Sequence, residues 1–558
     1  MDRYLLASLA LPLLGAAWIW PAAALGRNAV RWVALVASLL TLAVAGYVVY
    51  QFPTGSPDSA NYAAVSFDWL SGLSGVDLQF SVGLDGLSVW LYGLAALLSV
   101  TAVLVSWEAI EDEAAAYYAL LLLLETGMLG VFAARDVILF YVFFEFTLIP
   151  LFFLIGVWGS DDRRYAAVKF FLYTFAGSVF TFLGLLAISF WHYQHQPLDT
   201  RTLIFSIPDL TAWLADNTMD LRVQMLIFVA LFAGFAIKVP LFPLHTWLPL
   251  AHTQAPTAGS VLLAGILLKI GTYGFLRFNI TMLPEATAAF MPWILGLSVI
   301  GIIYGALVAL AQTDIKRLIA YSSVSHLGFC MLGLFALNRL GVSGGIIQML
   351  THGLSTGGLF ACVGMLYERY HTREIAAYSG MARRLPVLAA FFVLFTLASI
   401  GLPGLGGFAG EFMLLTGMFQ RAFAEAPPAI AWHLQWISVL AVFGVVVGAW
   451  YMLWLVQRIL FGPLHEPVVH HTAGHDPSHH DAPIVDLSFR EVVALVPLLL
   501  GSLWVGLYPQ FFIKHFEPVA ARVSSRVTIA AAAQPGAEGV AAELAPESTP
   551  RLAELSRD

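Results

Sequence analysis

The chain has 558 residues, of which 59% are hydrophobic and only 11% charged, with a formal net charge of −8. Soluble domains carry roughly 25% charged residues, so an ordinary soluble protein is excluded, and the dispersed charges form no basic block for nucleic acid. With a mean hydropathy of +0.81 and repeated apolar stretches of about 20 residues, each able to cross a hydrocarbon core of about 30 Å, the composition points to an all-α polytopic membrane protein.

In chain order, fourteen crossings are expected near 4–22, 29–51, 86–106, 115–134, 137–157, 167–190, 222–253, 257–279, 291–312, 317–337, 341–367, 386–422, 432–460 and 491–513. The first stretch has signal-peptide length but no clear cleavage motif, and similar segments recur to the end, so it reads as a membrane helix. Residues 1–114 hold three N-terminal helices with their loops; 115–280 and 291–461 form two units of five helices each. Residues 462–490 form a loop with His465, His470, His471, His475, His479 and His480, whose irregular spacing among Pro, Gly and Asp favours a solvated linker over a metal site. A last helix, 491–513, precedes a tail (514–558) rich in Ala, Pro and Glu from Pro518, read as disordered and without a long amphipathic helix. Cys330 and Cys362 lie in apolar segments without metal-ligand spacing and read as small core residues.

Arg27 and Arg31, then Arg163, Arg164 and Lys169, then Lys316 and Arg317, then Arg369, Arg373, Arg383 and Arg384 all fall in or beside odd-numbered loops. The positive-inside rule makes those loops cytoplasmic and both termini external. The loop 52–83 has Asp58, Asp68 and Asp77 but no Lys or Arg, in agreement. Glu108, Glu111, Asp112 and Glu113 make one odd loop acidic, but acids weigh little in this rule.

Charged side chains near a bilayer centre cost at least roughly 2.5–3.5 kcal/mol each and normally mark an ion pathway. Glu145 sits about nine residues into its helix and Lys269 about a dozen, or roughly 13 and 18 Å deep. Lys238 ends the apolar run that begins near Leu226, and Glu411 follows the Pro-Gly break of SIGLPGLGGFAGEF. Structural ion pairs or snorkelling would be the plain explanation, but the Glu145 stem is too short to snorkel. Four such residues in one chain outweigh it. Glu125, in LLLLETGMLG, is a fifth buried acid with no evident partner.

Pro240, Pro243 and Pro249 must interrupt the seventh crossing, because proline removes a donor and clashes with the preceding turn. Interrupted backbone at membrane depth is tolerated only where protein or a water-filled cavity satisfies it, so Lys238 finds partners other than lipid. A desolvated lysine holds its proton only as firmly as a neighbouring carboxylate allows, which makes a Glu–Lys pair a switch. Ile237-Lys238-Val239-Pro240 can be laid on Ile400-Gly401-Leu402-Pro403, and Asp136-Val137-Ile138 on Asp314-Ile315-Lys316, 163 and 178 residues apart. Units of five crossings are inverted relative to each other, and inverted repeats with matching broken helices are the pattern of transporters. His245, His326 and His352 fall between the charges as candidate relays, with His252 close by; Ser322, Ser323, Ser325, Thr351, Ser355 and Thr356 either hold connecting waters or bond their own backbone.

The runs VFFEFTLIPLFFLIGVWG, GFAIKVPLFPLHTWLPLAHTQAPTAGSVLLAGILLKIG, QTDIKRLIAYSSVSHLGF and SIGLPGLGGFAGEF resemble the antiporter-like membrane subunits of proton-pumping NADH:quinone oxidoreductase, respiratory complex I, over about residues 85–515. The resemblance implies that Glu145 and Lys238 form the input pair and that Lys269 is central. The group on the second broken helix is lysine in most of these subunits and glutamate in the M type, which Glu411 matches. It implies proton transfer through Glu145, Lys238, Lys269 and Glu411, relayed by His245, His326 and His352, in a bacterial inner membrane with both termini periplasmic. It also implies no redox chemistry or cofactor in this chain, with FMN, iron–sulfur clusters and quinone in partner subunits. Other complex I membrane subunits, including further antiporter-like ones, and lipids would be its neighbours. A subunit of a multi-chain Na+/H+ antiporter and a purely structural membrane subunit are the alternatives.

The expected topology is checked by cysteine labelling. Arg384→Cys should react with an impermeant thiol reagent only after cells are permeabilised, and labelling in intact cells would reverse the orientation.

Overall fold

In hydrocarbon, backbone polar groups must be satisfied within their own segment, and the chain meets this almost entirely with helices. The computed structural model describes residues 1–69, 75–199, 201–467 and 484–532. Its helices are α1 (Asp2–Ala23), α2 (Arg27–Tyr50), α3 (Val89–Val105), α4 (Ala114–Ala133), α5 (Val137–Phe146), α6 (Leu148–Trp158), α7 (Arg163–Gln194), α8 (Ile207–Asp216), α9 (Leu221–Lys238) and α10 (Trp247–Gln254). They continue as α11 (Thr257–Leu262), α12 (Leu268–Gly274), α13 (Pro284–Leu310), α14 (Ile315–Phe335), α15 (Arg339–Tyr370), α16 (Pro386–Ser399), α17 (Gly406–Phe423), α18 (Pro428–Leu460), α19 (Phe489–Leu507) and α20 (Pro509–Ala532). Among the described residues twelve helices are long and apolar enough to cross a membrane, counting α5–α6 and the run from α11 to Ile280 as one each; α3 and α16 are apolar but shorter. With α3, and with α16 continued across its break by α17, these account for the fourteen expected crossings. The strands are few: β1 (Tyr62–Asp68) pairs antiparallel with a strand at Gln79–Leu84, and Val76–Asp77 pairs parallel with Leu203–Ile204.

The connecting loops sort onto two faces. On one, Arg27 meets Glu111, Arg490 meets Glu108, the Ser160 amide donates to the Gln254 carbonyl, Arg373 pairs with Asp314, and Ser379 bonds the His465 backbone. These are all odd-numbered loops. On the other face, Arg135 donates to the Ala60 carbonyl, the Val137 amide to Phe205, Arg526 to Thr281 and Arg421 to Ala336.

The internal repeat is visible in hydrogen bonds. Asp136 caps α5 by accepting from the Ile138 and Leu139 amides, and Asp314 caps α14 by accepting from Arg317, each satisfying donors that a helix start leaves open. Asp136 also bridges antiparallel to Ser206, as Asp314 does to Glu374. The Val137 and Ile207 amides donate to Phe205 and Arg135; the Ile315 and Ile375 amides donate to Arg373 and Thr313. The same cross-brace therefore occurs once on each face, as inversion requires.

The two breaks are also alike. The Leu241 amide bonds back to the Ala236 carbonyl (2.9 Å) and the Leu402 amide to Leu397 (3.0 Å), the six-residue closure that ends a helix on a left-handed residue. Gly401 holds that position in the second break, at φ +74°. This closure aligns Lys238 with Ser399 and not with Gly401: the short sequence match is displaced by two residues, because the cap geometry sets the register and the prolines do not. The Ile237 carbonyl freed by the first break accepts from the Trp247 indole at 2.9 Å.

The tail reading needs correction. Residues 514–532 are helix, part of α20, and only 533–558 lie outside the described residues. Phe512, Phe516, Ala520 and Val523 are buried at the spacing of one helix face, and Phe512 sits 4.5 Å from Trp90. Pro518 costs the helix one hydrogen bond, and packing of that face against α13, α15 and α19 outweighs the loss. Gly86 is required here, since a Cβ would overlap the His515 carbonyl. Of the histidine-rich loop, His470, His471, His475, His479 and His480 lie outside the described residues.

The core is α11–α12, α14 and α15, surrounded on all sides, while α1, α2, α7 and α18 carry exposed apolar faces. Glycine sets the α7–α9 distance: a Cβ on Gly234 would lie 2.6 Å from the Gly177 carbonyl oxygen. Gly234→Leu should therefore cost about 1–3 kcal/mol by overpacking, while Gly46→Leu, with open space around it, should be neutral. Thermal denaturation in detergent compares the two.

Candidate functional site

The central lysine lies on the best-enclosed crossing. Around it the helix opens into π-helical turns at Leu263–Leu267 and Phe275–Ile280, a deviation frequent at functional sites. Lys269 is fully buried. Its ammonium donates to the Ala264 carbonyl and contacts His352 Nδ1 at 2.6 Å. The widened turn leaves that carbonyl five residues back within reach. With Lys269 donating, His352 accepts at Nδ1 and carries its own proton on Nε2, which is buried without a partner.

From His352 the buried groups continue into the second unit. The His326 ring lies 5.6 Å from that of His352. Its Nε2 meets Ser399 Oγ at 3.2 Å, and its Nδ1 lies 3.4 Å from Glu411 Oε1, an ion-pair distance without hydrogen-bond alignment. Gln348 donates to the same carboxylate oxygen at 3.3 Å and holds Thr351 Oγ1 at 3.2 Å. Lys269, His352, His326 and Glu411 thus form one row across α12, α15, α14 and α17. Beside its Glu411 end is a void of about 10 Å³ reached by Ser325, His326 and Tyr451, about the room one water needs.

The first pair is arranged differently. Lys238 is buried, with its ammonium 4.9 Å from the Phe144 ring centre. Glu145, the next residue on α5, acts on it electrostatically without reaching ion-pair distance. Glu145 is half-buried and not enclosed as expected, because α5 lies at the edge of the bundle beside α7. His245, between α9 and α10, is buried edge-on to Tyr304 at 5.1 Å with Nδ1 unpartnered. It has no direct contact with the row.

Four participants escaped the sequence reading. Ser399 and Gln348 look like ordinary helix residues, and only the fold brings them to His326 and Glu411. Lys316 reads as a loop charge in QTDIKR but is buried in the first turn of α14, donating to the Ala255 carbonyl at 2.5 Å. The small void shows Tyr451. His252 is fully buried, stacked 4.5 Å from Phe360, with both ring nitrogens unpartnered. Glu125 is fully buried away from the row and accepts from Ser38 at 2.8 Å. Among the described residues no group of three His, Cys, Asp or Glu is placed to hold a metal ion.

Comparisons with known proteins show the family and the fold. A family model described as "NADH:quinone oxidoreductase/Mrp antiporter, TM" matches residues 134–448. The chain is 41% identical to NADH-quinone oxidoreductase subunit M of Rhodobacter capsulatus, over 89% of this chain and 90% of the relative. It is also 41% identical to NADH-ubiquinone oxidoreductase chain 4 of Arabidopsis thaliana, over 87% and 89%. A chain of respiratory complex I from Thermus thermophilus with bound NADH superposes with a TM-score of 0.78 at 30% identity, covering 94% of this chain and 99% of that one. A chain of the Mrp complex from Dietzia sp. shares the fold, with a TM-score of 0.74 at 20% identity, 94% and 99% being covered.

A Cβ on Gly401 would lie 2.7 Å from Glu411 Oε2, whereas Gly404, also left-handed, has nothing nearer than 3.9 Å. Gly404→Ala should cost about 1–2 kcal/mol from backbone alone. Gly401→Ala should cost more, by displacing Glu411, and equal melting shifts would remove that contact from the site.

Proposed function

The chain belongs to the NADH:quinone oxidoreductase/Mrp antiporter family of membrane subunits, and from that premise we propose that it carries protons across the membrane within NADH:quinone oxidoreductase. The observation that carries this reading is the buried row Lys269–His352–His326–Glu411, in which amine, imidazoles and carboxylate follow one another at 2.6, 5.6 and 3.4 Å. Each member is of a side-chain type that can carry a proton, and the one ion-pair contact among them, His326 with Glu411, lies within the row itself.

The steps follow from the donors and acceptors. Lys269 passes a proton along its short contact to His352 Nδ1, and His352 gives up the proton on its unpartnered Nε2 towards His326. His326 delivers at Nδ1 to Glu411, which holds the proton as a neutral acid and not as a cation, and the adjacent void admits one water to take it on. Glu145 and Lys238 act before this row. When the Glu145 carboxylate is neutralised or moves, Lys238 loses the charge that favours its protonated form, and its field on the rest of the path changes. The break after Lys238, closed by only a few hydrogen bonds, gives that change room to occur. Redox chemistry in partner subunits, which hold the FMN, iron–sulfur clusters and quinone, drives the cycle. The M-subunit relatives at 41% identity, against 20% for the Mrp chain, favour this over a subunit of a multi-chain Na+/H+ antiporter, and the ordered row favours it over a structural subunit.

Glu145→Ala and Lys238→Ala should nearly abolish proton pumping while the complex assembles. Glu411→Gln, which keeps the Gln348 contact but cannot titrate, should block it, and Glu411→Asp should retain part. Redox-driven proton uptake in reconstituted vesicles, normalised to assembled complex, is the measurement. Wild-type pumping by Glu411→Gln would make this residue structural.

A further inference from the structure

One cavity among the described residues lies apart from the proton row. It has about 260 Å³ of free volume, at the lower end of small-ligand sites, and opens on the face of the even-numbered loops. Arg135, Arg277, Arg522 and Arg526 line it, and Asp85 is the one carboxylate among the lining residues. Asp85 is already spent: Arg277 holds it bidentately at 2.5 and 2.9 Å. Burial alone would raise that carboxyl, but the Arg277 charge and its hydrogen bonds take it down to about 2.

The other three arginines are under-used. Arg135 donates to Asn61 and the Ala60 carbonyl, Arg526 to the Thr281 carbonyl and Arg522 to the Pro518 carbonyl. Each guanidinium has five donors, and among the described residues none of these three forms an ion pair. Asp85, and after it Asp209, act on Arg135, and Asp216 acts on Arg526, only from a distance. Burial, then the Arg522 charge, lowers the hold of Arg526 on its proton, the sign of positive charge left without a counter-ion. The remaining wall has an apolar part, from Leu87, Phe132, Val519 and Val523, beside polar Asn61, Ser88, Thr211 and Tyr273. Neither the proton path nor the packing of α20 needs three arginines converging on one void.

We propose that this pocket binds a phosphate group, presented by a phospholipid headgroup or as the free ion. Guanidinium forks match phosphate oxygens two at a time, and Arg135, Arg522 and Arg526 line the same void, so a phosphate held there would tie the loop before α5 to the helix α20. The apolar wall beside the arginines suits the glycerol and first methylenes of a lipid and offers nothing to a free ion. A bound phosphate pins α20 to the bundle.

The test is hydrogen exchange over Pro509–Ala532 in the intact membrane complex, stripped of lipid in a neutral maltoside detergent. It is then supplied with short-chain phosphatidylglycerol, inorganic phosphate, or a diacylglycerol of the same chain length. Phosphatidylglycerol should slow exchange several-fold and the diacylglycerol should not. Equal slowing by inorganic phosphate identifies the free ion as the ligand. Slowing by neither phosphate compound, or equally by diacylglycerol, overturns the site. Arg522→Gln with Arg526→Gln, both outside the core, should raise the half-saturating concentration about tenfold, as loss of charged hydrogen bonds does. Arg135→Gln should shift it in the same direction from the opposite wall. An unchanged concentration in both variants also overturns the proposal.

Discussion

An amine sealed from water must be met by protein atoms, and Lys269 is met by two: a carbonyl of its own widened helix and one nitrogen of His352. Much else in the molecule serves that contact. The π-helical turns free the carbonyl. Gly265 and Gly353 let the two crossings approach until a Cβ on Gly353 would lie 2.7 Å from the Gly265 carbonyl oxygen, which brings His352 within reach. The surrounding helices leave Lys269 no exposed surface, so under the proposed function His352 is the base its proton would reach.

The inverted repeat gives this core its two approaches. Each unit contributes a crossing that stops partway and restarts, and each break is closed by the same kind of hydrogen bond, Leu241 to Ala236 and Leu402 to Leu397. Because the second unit is turned over, its broken helix enters from the face that the first one leaves. Lys238 occupies the last turn before one break and Ser399 the equivalent turn before the other. One unit thus places a titratable amine where the other places a hydroxyl that orients His326. The second unit's own titratable group, Glu411, lies beyond the break on α17, beside Gly401, where only a glycine leaves it room.

Under the proposed function the row is asymmetric in charge: an amine carries a proton as a cation and a carboxyl group carries it as a neutral acid, so transfer would change the local charge beside the polar side chains Gln348, Thr351 and Ser399. Glu145 differs from the row in being half-buried, at the bundle edge beside α7.

The crossings, the two breaks and the unusual charges were legible in the sequence because they are local. Hydropathy over about 20 residues marks a span, a proline marks an interruption within a turn or two, and a lysine inside an apolar run marks itself. Partners are not local. Lys269 and His352 are 83 residues apart, His326 and Ser399 73, Gln348 and Glu411 63, and no pattern along the chain states which helices meet or by which face. Lys316 was read as a solvated charge because its flanks are polar, yet it lies under the loop before α11. The helix α20 was missed because Pro518 interrupts its local signal, and its buried face is set by the bundle it packs on. Exposure at Glu145, the register of the repeat and the convergence of arginines from the loop before α5, the crossing that carries Lys269 and the helix α20 on one pocket were likewise decided only by tertiary structure, since each depends on distances between segments that the chain order leaves free.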